Sequence, residues 1–123
     1  MNVGILTWVL QFLLAIAFIG AGLMKLSSPK DRLVERMEWA RGVTQRGIKV
    51  IGLVELLGGI GLVLPALTGI MPWLTTLAAI GLAVTMVFAI YTHIRLREVS
   101  QALPAAVLLL LLVVTSVGLL SRS

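Results

Sequence analysis

Four stretches of the chain are apolar enough and long enough to cross a bilayer, and the strongly polar residues collect between them. A helix needs about 20 predominantly apolar residues to span the hydrocarbon core. The first stretch runs from about Val3 to Leu26, interrupted only by Gln11 and, at its end, Lys25. The others run from about Ile48 to Leu67, from Trp73 (behind Pro72) to Ile94, and from about Leu103 to Leu120. The first is read as a span and not a signal peptide, because its basic residues follow the apolar run instead of preceding it. The predicted fold is all-α integral membrane: one domain over residues 1–123, a four-transmembrane-helix bundle with a short interfacial helix in the first loop.

That interfacial helix is expected over about residues 28–41. Ser28 supplies a capping hydroxyl, Pro29 suits the first helical position, and Asp31 faces the positive end of the helix dipole. Leu33, Met37 and Ala40 then share one side, Trp39 is amphipathic, and Gly42 ends the helix. The fourth span, dominated by Leu and Val from Val107 to Val114, reads as a bland, lipid-facing structural element.

Composition agrees with this layout. Of 123 residues, 59% are hydrophobic and 12% charged, with a mean hydropathy of +1.10, whereas soluble domains carry about 25% charged residues. No room remains for a soluble catalytic or nucleic-acid-binding module, so the net charge of +5 points to lipid headgroups and not to nucleic acid. With no cysteine, the chain has no thiol relay, disulfide or thiolate-bound cluster of its own, and redox work would need a borrowed cofactor. Lys25, Lys30, Arg32, Arg36, Arg41, Arg46 and Lys49 flank or occupy the first loop, Arg95 and Arg97 the third; the second has no basic residue. The positive-inside rule therefore predicts a multi-pass protein of the bacterial inner (plasma) membrane, with the basic loops cytoplasmic and both termini outside. Arg122 alone opposes that orientation.

An ionisable side chain at the centre of a spanning helix costs about 2.5–3.5 kcal/mol on insertion scales, so each one marks a functional candidate. Three qualify: Lys25, Glu55 and His93. All fall toward the end of the bundle that carries the basic loops, with Glu55 the deepest, about 10 Å into the second span at 1.5 Å per residue. Gln11, Ala15, Phe18, Gly22 and Lys25 share a stripe of the first helix, and Gly52, Glu55 and Gly59 one of the second. Ala78, Gly81, Thr85, Ala89 and Thr92, with His93, form a small and weakly polar stripe on the third. Small residues allow close helix approach, so the three faces are expected to point inward and enclose a polar pocket of Glu55, His93, Lys25, Gln11 and Thr85. Each residue also has a plainer reading: Lys25 snorkelling to headgroups, His93 at the water interface, Glu55 specifying packing alone, and Gln11 in an interhelical hydrogen bond. Trp8, Trp39, Trp73 and Tyr91 are expected to be interface anchors. One histidine and one intramembrane acid are too few for a bis-histidine haem, a di-iron site or a protein-only zinc site, so no metal ligands are assigned.

The runs FIGAGLMKLSSP (Phe18 to Pro29), GLVELLGGIGLVLP (Gly52 to Pro65) and AIYTHIRLRE (Ala89 to Glu98) resemble the DoxX-like family of small four-span membrane proteins. In this resemblance Gly22 and Lys25 close the first span as G-x-x-K, Glu55 to Gly61 form E-x-x-G-G-x-G, and His93 precedes basic residues. Lys25, Glu55 and His93 are the positions that the family pattern marks. The resemblance implies links to a thiosulfate:quinone oxidoreductase subunit, to membrane oxidative-stress complexes and to receptor assembly, although a chain without cysteine departs from any member that works through thiols. The expected function is binding of a small lipophilic or quinone-like molecule, or service as a membrane subunit of a redox complex, with lipid as solvent and a homo-oligomer open. The alternatives are a structural or assembly subunit without ligand, and a proton-coupled small multidrug exporter that uses Glu55. Whether the chain catalyses a reaction, and with which cofactor, stays open at this stage.

Overall fold

The computed structural model describes residues 3–28, 44–71, 73–97 and 99–122, and the described chain consists of four helices. They are α1 (Val3–Ser27), α2 (Gln45–Thr68), α3 (Trp73–Arg95) and α4 (Val99–Arg122). Each has 23–25 residues, about 35 Å at 1.5 Å per residue, and each is long and apolar enough to cross a membrane. The interfacial helix expected over 28–41 lies outside the described residues, apart from Ser28, whose N–H donates to the Met24 carbonyl at 3.0 Å.

Local chemistry sets the helix ends. Thr44, in extended conformation, caps α2 by accepting the Gly47 N–H at 3.0 Å, so α2 begins before the apolar stretch does. Gly69 (φ +72°) ends it, a left-handed conformation that glycine adopts without a Cβ penalty, with its N–H on the Pro65 carbonyl. Arg97 adopts the same region (φ +61°) after α3, with its N–H on the Ile94 carbonyl.

The helices alternate in direction and form a closed ring in which each packs on its sequence neighbours and α4 returns to α1. In lipid, apolar burial gives helices no net drive to associate, so close packing must supply it. The glycines provide it. A Cβ at Gly22 would lie 2.6 Å from the Gly52 carbonyl oxygen and 2.7 Å from the Leu56 nitrogen; one at Gly59 would lie 3.0 Å from the Ile19 nitrogen. This backbone-to-backbone seam makes α1 and α2 a tight hairpin. A second hairpin, α3–α4, meets the first through Gly58 against the Leu82 side chain, Gly61 against Ala78, and Gly118 against Thr7. These last contacts all lie in the half of the bundle nearer the second loop. There Leu14, Leu62, Leu82 and Leu112, exposed by 1% or less, fill the centre. Large apolar residues on every helix face outward, among them Ile16, Leu57, Phe88 and Leu110, as a lipid-facing surface requires.

Two sequence expectations are corrected. The buried seam of α3 is Thr75, Ala79, Leu82, Met86 and His93, so the small-residue stripe runs beside it; Gly81 is exposed with open space around it, while Thr85, Ala89 and Thr92 are half-buried. α4 is not uniformly lipid-facing: Ala102, Ala105, Leu112, Thr115, Gly118 and Leu119 form an inward face at helical spacing. The uniform Leu/Val stretch hides that face, because only the smaller residues around it reveal the periodicity.

Candidate functional site

In the other half of the bundle the two hairpins diverge, leaving a cleft of about 450 Å³ lined by all four helices. Its walls are mostly apolar, with Phe18 and Ala21 from α1, Val54 from α2, Met86 and Ala89 from α3, and Ala105 and Leu108 from α4. Exposed residues stand on its margins at both seams between the hairpins: Val54 and Phe88 at one, Ala17 and Pro104 at the other. Among the described residues, the cleft is thus open sideways toward lipid.

Its ionisable groups are those that insertion cost singles out. Lys25, near the end of α1, and Glu55, three turns into α2, both line the cleft and are joined by an ion pair with Nζ to Oε1 at 2.5 Å. The glycine seam is what allows it: a Cβ at Gly52, one turn before Glu55, would lie 2.8 Å from Lys25 Cβ. Glu55 is 3% exposed and Lys25 8%, so the charges are neutralised by each other and not by water. His93 is buried on the α3 wall, with Thr85 and Thr92 lining the same wall. Thr85 donates its hydroxyl to the Gly81 carbonyl and Thr92 to the Phe88 carbonyl, each at 2.9 Å, which satisfies both hydroxyls within the helix and leaves their oxygen lone pairs as acceptors.

Lys25, Glu55, His93 and Thr85 therefore border one space, while Gln11 does not. Gln11 is fourteen positions before Lys25 on the same helix, about 21 Å away along the axis. Fully buried, it donates Nε2 to the Leu62 carbonyl at 2.6 Å, next to the Gly61 carbonyl that Pro65 deprives of its helical donor. Interhelical bonds of this kind are worth about 0.6 kcal/mol on average in membranes, so Gln11 sets register more than stability. Trp73 and Tyr91 are exposed at opposite ends of α3, as interface anchors would be; Trp39 lies outside the described residues.

One contributor is not singled out by the sequence. Lys49 donates from Nζ to the carbonyls of Leu26, of Lys25 (3.3 Å) and of Ser28 (3.4 Å), closing the last turn of α1 directly behind the ion pair. A cation at a helix C-terminus compensates the orphan carbonyls there. By sequence Lys49 is one basic residue among several flanking the first loop, and only the α1–α2 contact gives it this role. The α4 wall is likewise absent from the sequence-based site, because it carries no ionisable group.

Among the described residues no three potential metal ligands come together. Comparison with curated proteins and with solved structures finds no match. Residues 9–116, from before Gln11 to beyond the buried Thr115 of α4, match the family model described as the DoxX-like family, and so take in every residue of the cleft. The four membrane-spanning helices and this match over nearly the whole chain place the protein in the DoxX-like family.

Proposed function

We propose that the cleft binds a small lipophilic molecule of quinone type, taken up sideways from the bilayer, and that the protein serves in a membrane redox complex through that ligand. The observation that carries this reading is the cleft itself: a space of about 450 Å³, within the usual range of ligand sites, with mostly apolar walls and with the Lys25–Glu55 pair and the buried His93 on its lining. A lipid tail alone would not require the buried charges, and a purely structural bundle would close the space. A chain without cysteine carries no thiol couple, so electrons would reside on the ligand or on a partner subunit. The exporter reading is less well supported, because Glu55 is engaged by Lys25 and is separated from the second-loop end by the apolar layer at Leu14, Leu62, Leu82 and Leu112.

Binding of a decyl-substituted 1,4-benzoquinone to purified protein in nanodiscs tests the reading. Saturable binding is expected, lost in Ala21→Phe, which fills the cleft while keeping both Lys25 and Glu55. No saturable binding by the parent protein to the quinone or to its hydroquinone would sink it.

The proposed orientation places the loops bearing Arg46, Lys49, Arg95 and Arg97 in the cytoplasm of a bacterial inner membrane, with both termini outside. Because the chain has no cysteine, single substitutions report directly. In intact cells Ile70→Cys should react with an impermeant maleimide and Arg97→Cys only after permeabilisation; the reverse pattern would invert the topology.

A further inference from the structure

We infer that the cleft selects ligands whose polar head donates hydrogen bonds, so that it holds a hydroquinone in preference to the quinone; this rests on the reading that a quinone-type molecule is the ligand. The polar groups on the cleft include acceptors that only a donor on the ligand can match. Glu55 meets Lys25 through Oε1 only, and among the described residues its second carboxylate oxygen has no hydrogen-bond donor, although Glu55 lines the cleft. The Thr85 and Thr92 hydroxyls must be donors in their bonds to Gly81 and Phe88, because a carbonyl oxygen can only accept; each therefore presents lone pairs to the cleft. Three acceptor sites thus border the cleft, beside the two groups on its lining that can donate, Lys25 and His93.

A quinone carries carbonyl oxygens and no donor. Placed here, it can accept from Lys25 or His93 but leaves the carboxylate's remaining lone pairs unmatched in a low-dielectric site, where unmatched polar groups are most costly. Its hydroquinone has two O–H groups of nearly the same shape. One can donate to Glu55 while its oxygen accepts from the Lys25 ammonium or from His93, which is able to donate from a ring nitrogen. Sites built to hydrogen-bond a substrate hydroxyl discriminate strongly against analogues that lack it, because the site's own groups are then left unpaired. Preference for the reduced form has an electrochemical consequence: each tenfold difference in affinity raises the midpoint potential of the bound two-electron couple by about 30 mV.

The test compares three probes with one decyl chain on purified protein in nanodiscs: the 1,4-benzoquinone, its hydroquinone, and the hydroquinone dimethyl ether, which keeps the aromatic ring and both oxygens but has no donor. The hydroquinone is expected to bind at least about tenfold more tightly than either of the others, with Glu55→Gln removing most of the difference and Thr85→Val a smaller part. Equal affinities, or tighter binding of the quinone or the ether, would overturn the inference and leave the ligand reading intact. Failure of all three probes to bind would overturn both. A preference undiminished in Glu55→Gln and Thr85→Val would also overturn it, since the selecting acceptors would lie elsewhere. Should Glu55→Gln not fold, the ether comparison and Thr85→Val decide the matter.

Discussion

Lys25→Met, made alone, is expected to destabilise the folded protein by about 3–5 kcal/mol, while the double substitution Lys25→Met/Glu55→Met recovers most of that loss. The asymmetry follows from where the charges sit. At 3% exposure the Glu55 carboxylate has no water to replace the ammonium it loses, so the single variant bears the full desolvation cost of a buried, uncompensated anion. Removing both charges removes that cost and the Coulomb attraction together, and two Met side chains fill a similar volume. Unfolding of the four variants in the same detergent, read by the loss of helical signal, gives the coupling energy as a double-mutant cycle. If the double variant is as unstable as the sum of the singles, the two residues do not act as a pair.

Gly22→Ala is expected to cost about 1–3 kcal/mol, although alanine is the better helix former by nearly 1 kcal/mol. The added methyl would lie 2.6 Å from the Gly52 carbonyl oxygen and 2.7 Å from the Leu56 nitrogen, and neither can turn aside as a side chain could. α1 and α2 must then separate, and the Lys25–Glu55 pair, one turn further along, separates with them. Gly81→Ala provides the contrast, because nothing lies within 4 Å of its added carbon. That variant should be neutral or slightly stabilising in the same assay, and equal losses at the two positions would mean that helix approach at Gly22 is not the cause.

The helices were legible in the sequence because lipid imposes a strong and simple demand, namely long uninterrupted apolar runs with polar residues displaced to the ends. Lys25, Glu55 and His93 stood out for the same reason, since a costly group inside a span needs a partner or a space, and all three line one cleft; Thr85 was included through the small-residue stripe of α3. What periodicity did not separate was two adjacent faces of one helix. The small residues of α3 lie one position away from its buried seam, and a shift of one residue, about 100°, turned Gly81 outward. Gln11 looked like a site residue because it shares a stripe with Lys25, but a stripe records direction around a helix and not distance along it. The inward face of α4 and the role of Lys49 depend on contacts between helices, which a pattern within one helix does not encode.

The ion pair also bears on how the chain enters the membrane. Its two members belong to consecutive helices, α1 and α2, and Gly22, Gly52 and Lys49, which bring them together, belong to the same two. The hairpin therefore contains its own counter-ion as soon as α2 has left the ribosome, before α3 and α4 have entered the membrane. Two charges that would each burden the insertion of a lone helix can pass the translocon as a neutral unit, and the first two helices can wait in the bilayer for the second two without holding an unpaired charge in lipid.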